Sequence, residues 1–131
     1  MSKYAIICGD APEDYRMKKT EEMFDFLQTK EGGSLSGSNI ISFPNGVSEL
    51  FLEATLNRCI NEETKSILLY ICTKEPVRDS EETFFIGGEE IQKSVIAHYQ
   101  NQAKEVGFDF QVIYDVCHDF INEDDLGYEK V

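Results

Sequence analysis

A chain of 131 residues with 25 acidic against 12 basic side chains carries a formal charge of −13. A field of that sign repels phosphate backbones and anionic lipid surfaces, which argues against nucleic-acid binding. Its hydrophobic content of 41% suits one globular domain over residues 1–131 and excludes an intrinsically disordered chain. No apolar run approaches the ~20 residues of a membrane span. The amino terminus, Met-Ser-Lys-Tyr-Ala-Ile-Ile-Cys, lacks the long apolar region and cleavage site of a secretory signal, so a cytoplasmic address is expected. Four cysteines without CxxC spacing read neither as a zinc module nor as a disulfide framework, and a cytosolic setting predicts reduced thiols.

In chain order, Lys3–Cys8 reads as a short buried strand closed by the turn Gly9-Asp10-Ala11-Pro12. Met17, Thr20, Met23, Phe24 and Leu27 recur at helical spacing and predict a helix over about 14–30. Glu31–Ser38 is small and polar, as in a mobile loop. Asn39–Phe43 predicts a second strand, stopped by Pro44-Asn45-Gly46. A second helix follows over about 48–61, with Leu50, Phe51, Ala54 and Arg58 on one face. Ser66–Cys72 is apolar without alternation, as in a strand buried on both faces. Thr83–Ile86 predicts a short strand arm. Gly87-Gly88 is read as opening a third helix from Glu89 to about Glu105, with Ile91, Val95, Tyr99 and Val106 in register and Gly107 as its stop. The run from Phe108 to Val116 is a fourth main strand, its Val112, Ile113 and Val116 again suggesting cover on both faces.

Strands alternating with helices predict an α/β fold: a three-layer α/β/α sandwich around a mainly parallel sheet of at least four strands. Right-handed crossovers restrict the topology, and the order 2-1-3-4 is the one chosen. A receiver-type phosphoacceptor domain shares this architecture but needs an Asp where this chain has Cys72-Thr73. The fourth strand ends in Asp115-Val116-Cys117-His118, a thiol at the carboxyl end of a buried strand, where open α/β sheets place their ligand crevice.

That segment resembles the nucleophile strand of caspase-like cysteine peptidases (the caspase, metacaspase and legumain group), with Asp119-Phe120 in place of the metacaspase Ser-Gly. Lys3–Asp10, Asn39–Asn45, Lys65–Cys72 and Phe85–Ile91 resemble the family's preceding segments in the same order. The resemblance implies Cys117 as nucleophile, Asp115 as a pocket residue for a basic substrate side chain, and Asp10 in the loop after the first strand as a second binding position. It also sets Thr73 at the position of the catalytic His. A threonine hydroxyl does not titrate near neutral pH and cannot serve as that base. His118 is adjacent to Cys117 and points to the opposite side, and His98 lies well down the third helix.

The expectation is therefore a caspase-like domain without its catalytic dyad: a pseudo-peptidase or interaction module, needing no cofactor or metal, with a protein partner or a homo-oligomer completing the sheet. Two alternatives stand beside it. One is an active cysteine peptidase using Cys117 with a base from elsewhere. The other is a redox or soft-metal site at Cys8, Cys72 and Cys117, which share the carboxyl ends of neighbouring strands.

Overall fold

A computed structural model of the chain describes residues 2–9, 14–73 and 77–116, the stretch 14–18 by its backbone only. Six strands and three helices follow one another as β1 (Ser2–Gly9), α1 (Asp14–Leu27), β2 (Ile40–Phe43), α2 (Glu49–Cys59), β3 (Thr64–Thr73), β4 (Thr83–Ile86), β5 (Glu89–Gln92), α3 (Lys93–Val106) and β6 (Asp109–Val116). Four of them form one parallel sheet in the order β2-β1-β3-β6. This is the predicted 2-1-3-4 order, with β6 as the fourth main strand. The fold is an α/β sandwich of three layers.

Strands β1 and β3 sit at the centre, and their side chains alternate between two apolar clusters. Ile6 and Cys8 of β1, with Ile67, Leu69 and Ile71 of β3, face α2, α3 and the β4–β5 pair. Ala5 and Ile7, with Tyr70 and Cys72, face the other way, toward Leu27, Met23 and Phe24 of α1. Both strands are thus apolar along their central runs, Ala5 to Cys8 and Ile67 to Cys72, because each face is covered there. Tyr99 pins α3 to α2 by donating to the Glu53 carbonyl at 3.3 Å and to Asn57 Oδ1 at 3.0 Å. Among the described residues no helix is long and apolar enough to cross a membrane.

Three sequence expectations are corrected. The first concerns Gly87-Gly88, which does not open a helix. Both glycines have positive φ (59° and 83°) and make a two-residue hairpin turn between β4 and β5. Only glycine adopts two such residues in succession without strain, and the resulting twist matches the flanking strands. Ile91 is accordingly a buried strand residue opposite Phe84, and α3 begins at Lys93. With that phase its inner face is Ile96, Tyr99 and Ala103, while Val106 is exposed. Gly107 does end the helix, in the left-handed region, its N–H donating to the Ala103 carbonyl at 2.8 Å.

The second correction concerns α2. Ser48 caps it, accepting the Phe51 N–H at 3.2 Å, and its buried face is Leu52, Thr55, Leu56 and Cys59. Leu50 and Phe51 turn outward, 79% and 62% exposed. Two apolar stripes compete on this helix, and the one with i, i+3, i+4, i+7 spacing takes the core.

The third concerns β6. It is an edge strand whose Ile113 and Tyr114 remain 40% and 37% exposed. Helix α1 packs on β1, β2 and β3, while α3 packs on β6 from the opposite side, so one face of β6 lacks full cover.

The α2 phase is checked by two substitutions. Leu56→Ala should cost about 2–5 kcal/mol through a core cavity, whereas Leu50→Ala should stay within about 0.5 kcal/mol. Urea unfolding of both variants measures this, and equal losses would mean that the helix faces the core the other way.

Candidate functional site

The carboxyl ends of the parallel strands make one rim: Gly9 of β1, Phe43 of β2, Thr73 of β3 and Val116 of β6. On the α2–α3 side the β4–β5 hairpin closes this rim. Phe84, Ile86 and Ile91 are buried in the core beneath it. Its Gly-Gly tip lies directly on the loop after β2. A Cβ on Gly46 would sit 3.0 Å from the Gly87 Cα, and one on Gly87 would sit 2.8 Å from the Gly46 Cα. Further along, Gln92 N–H donates to Glu49 Oε1 at 2.7 Å, tying the end of β5 to the first turn of α2.

Thr73 belongs to this closure. It is 1% exposed, and its hydroxyl donates to the Phe85 carbonyl of β4 at 3.3 Å. The side chain of Thr73, which the resemblance sets at the position of the catalytic histidine, helps hold the hairpin to β3.

On the α1 side of the same rim the register places Asp115 beside Cys72, two residues beyond the Tyr70–Ile113 pair. The Tyr70 hydroxyl donates to Asp115 Oδ2, and Lys19 Nζ of α1 lies 3.7 Å from the same oxygen. The carboxylate and the ammonium are about a third exposed, so this ion pair is screened and contributes less than about 1 kcal/mol. The hydrogen bond from a buried tyrosine contributes more to its placement, since hydrogen bonds to charged acceptors are the stronger class. Asp115 thus meets side-chain donors of its own chain at the place where the resemblance implies a substrate-binding carboxylate.

The thiols do not share an environment. Cys8 is fully buried in the cluster under α2 and α3, and burial pushes its pKa from 9.0 up to about 12. Cys59 of α2 is also buried, which raises its pKa, with Arg58 opposing. Both are free thiols. Cys72 lies on the opposite face of the sheet from Cys8 and is disulfide-bonded, which corrects the expectation of reduced thiols throughout. Cys8 and Cys72 follow each other's rim in sequence but put their sulfurs on different sides, because their strand positions differ by one in register. Among the described residues no three His, Cys, Asp or Glu side chains gather as a metal site would require. Cys117 and Asp10 lie outside the described residues. His98 is on the outer surface of α3, against the Tyr99 ring at 5.0 Å between centroids.

The hairpin cover and the Tyr70–Asp115–Lys19 cluster are the two features that residue patterns did not bring forward. The first had a signal in the Gly-Gly pair between short β-prone runs. The second had none, since its members lie 45 residues apart or more in every pairing and meet only through β3–β6 pairing and the packing of α1. No family model matches the sequence, and neither a curated protein nor a solved structure matches it.

The Cys8 thiol has a consequence for stability against pH. Its folded-state pKa is raised, so the unfolded chain loses that proton first as pH rises. The stability is intact below about pH 9 and drains as pH approaches 12, by about 1.4 kcal/mol per pH unit. Between about pH 8 and about pH 10.5 the parent protein should lose about 2 kcal/mol more than Cys8→Ala, read by urea unfolding at both values. Equal losses would show that Cys8 is not buried as a neutral thiol.

Proposed function

We propose that this chain is a caspase-like α/β domain that has no peptidase activity and works as an interaction module. The observation that carries the reading is Thr73. The resemblance sets it where the family has its general base, and here it is buried with its hydroxyl committed to the Phe85 carbonyl. Acyl transfer by a cysteine nucleophile needs a base or cation to generate the thiolate and an acid for the leaving amine.

The interaction role rests on the edge of β6, which among the described residues pairs only with β3. It offers a row of backbone donors and acceptors to another chain, the arrangement by which sheets are extended in trans. As part of the same proposal, the protein works through protein partners, since its charge of −13 repels nucleic acid.

Incubation with peptides cleavable after Arg, Lys, Asp or Asn should give no turnover above background. Turnover that Cys117→Ala abolishes would replace this reading with an active cysteine peptidase whose base comes from elsewhere.

A further inference from the structure

Strand β6 is unusual for an edge. It is eight residues long, with the sequence Asp-Phe-Gln-Val-Ile-Tyr-Asp-Val. Among the described residues it pairs only with β3. Edges of this length are normally blunted by charge, proline or a bulge, and otherwise they pair. Here the only charges are Asp109 and Asp115, near the two ends, and the exposed middle is Gln111, Ile113 and Tyr114.

Geometry limits how a second copy meets this edge. Two identical edge strands related by a closed two-fold must run antiparallel, with the axis normal to the sheet. Opposed residues then point to the same face, so the axis passes beside one residue and the opposed numbers have an even sum. Two registers give the longest overlap within Asp109–Val116. An axis at Val112 sets Asp109 directly opposite Asp115 at both ends, a like-charge contact that destabilises. An axis at Ile113 sets Ile113 against Ile113, Gln111 against Asp115, Val112 against Tyr114 and Phe110 against Val116. Every opposed pair in that register is apolar, or an amide facing a carboxylate. Asp115 already meets Tyr70 and Lys19, and a partner's Gln111 amide would join them on a carboxylate that accepts at about four positions.

We propose that the partner at this edge is a second copy of the same chain, joined through antiparallel β6–β6 pairing centred on Ile113 to give one continuous eight-stranded sheet. This inference rests on the reading of the β6 edge as the interaction surface. Each copy carries −13, so the two repel at long range while the strand contact itself is apolar. Association therefore tightens as salt screens that repulsion.

Sedimentation equilibrium of the full chain, across concentration and from low to high salt, should find a reversible dimer that strengthens with salt. Gln111→Lys should tighten it and Gln111→Glu weaken it, each by roughly threefold to tenfold, because two symmetric cross-strand contacts to Asp115 change sign. Gln111 is exposed, so neither change should move the urea midpoint at concentrations where the protein is monomeric. Ile113→Cys should give a covalent dimer above the parent level under mild oxidation, and Val112→Cys should not. A monomer at every concentration, a dimer indifferent to both Gln111 variants, or cross-linking at residue 112 instead of 113 would each overturn the inference. None of those results restores peptide turnover, so the non-catalytic reading stands or falls by its own assay.

Discussion

Everything in this molecule follows from the need to cover both faces of β1 and β3. These central strands are apolar on each side, and four parallel strands at about 4.8 Å spacing make a sheet roughly 19 Å wide. A single helix is about 10 Å across. On one face two helices and the β4–β5 hairpin share the task, and the core there is continuous from Ile6 to Phe108. On the other face α1 is the one helix among the described residues. It centres on β1, reaches β2 and β3, and among the described residues the outer half of β6 lacks cover. The right-handed crossover rule makes this asymmetry unavoidable. The first connection steps toward β2 and the later two step back across and beyond, which puts α1 opposite α2 and α3.

The hairpin turns this layering into a statement about chemistry. Carboxyl-end rims of parallel sheets are open where loops leave them open. In this chain a segment of eight strand residues and two glycines folds back over that rim. It is held by contacts that need backbone proximity: Gly46 on Gly87, Thr73 to the Phe85 carbonyl, and Glu49 to the Gln92 N–H. A side chain recruited to such a clamp is no longer available to move protons. The remaining face of the rim holds a tyrosine, a lysine and a carboxylate already bonded to one another, an arrangement that fixes the end of β6 against β3 and α1.

The acidity of the chain acts at a different scale. Among the described residues most carboxylates lie on solvated surfaces, and the summed field of the chain repels other anions at long range. The β6 edge bears only two acids, near its ends, so local pairing chemistry there is apolar and amide-like even though the whole protein is strongly anionic. For the β6–β6 pairing proposed above, long-range repulsion and short-range complementarity would act on the same surface with opposite signs, and ionic strength would separate them.

Much of the architecture was legible in the residues themselves. Runs such as Ile67–Ile71 are short, apolar and without alternation, and a strand buried on both faces is the one element that accommodates them. Alternation with helical periodicity then leaves a parallel sheet, and chirality leaves few orders for its strands. Gly107 was equally readable, because a left-handed helix stop is a local requirement. The phase of α2 was not. Leu50 and Phe51 are as hydrophobic as Leu52 and Leu56, and the choice between the stripes belongs to the core that receives them. Nor was the difference between β3 and β6, both apolar, one central and one at an edge. The role of Thr73 and the meeting of Tyr70, Lys19 and Asp115 depended on distant segments arriving at one rim. Local composition determines what each segment can bury. Which of its faces is buried, and against what, is decided only when layers of finite width compete to cover one sheet.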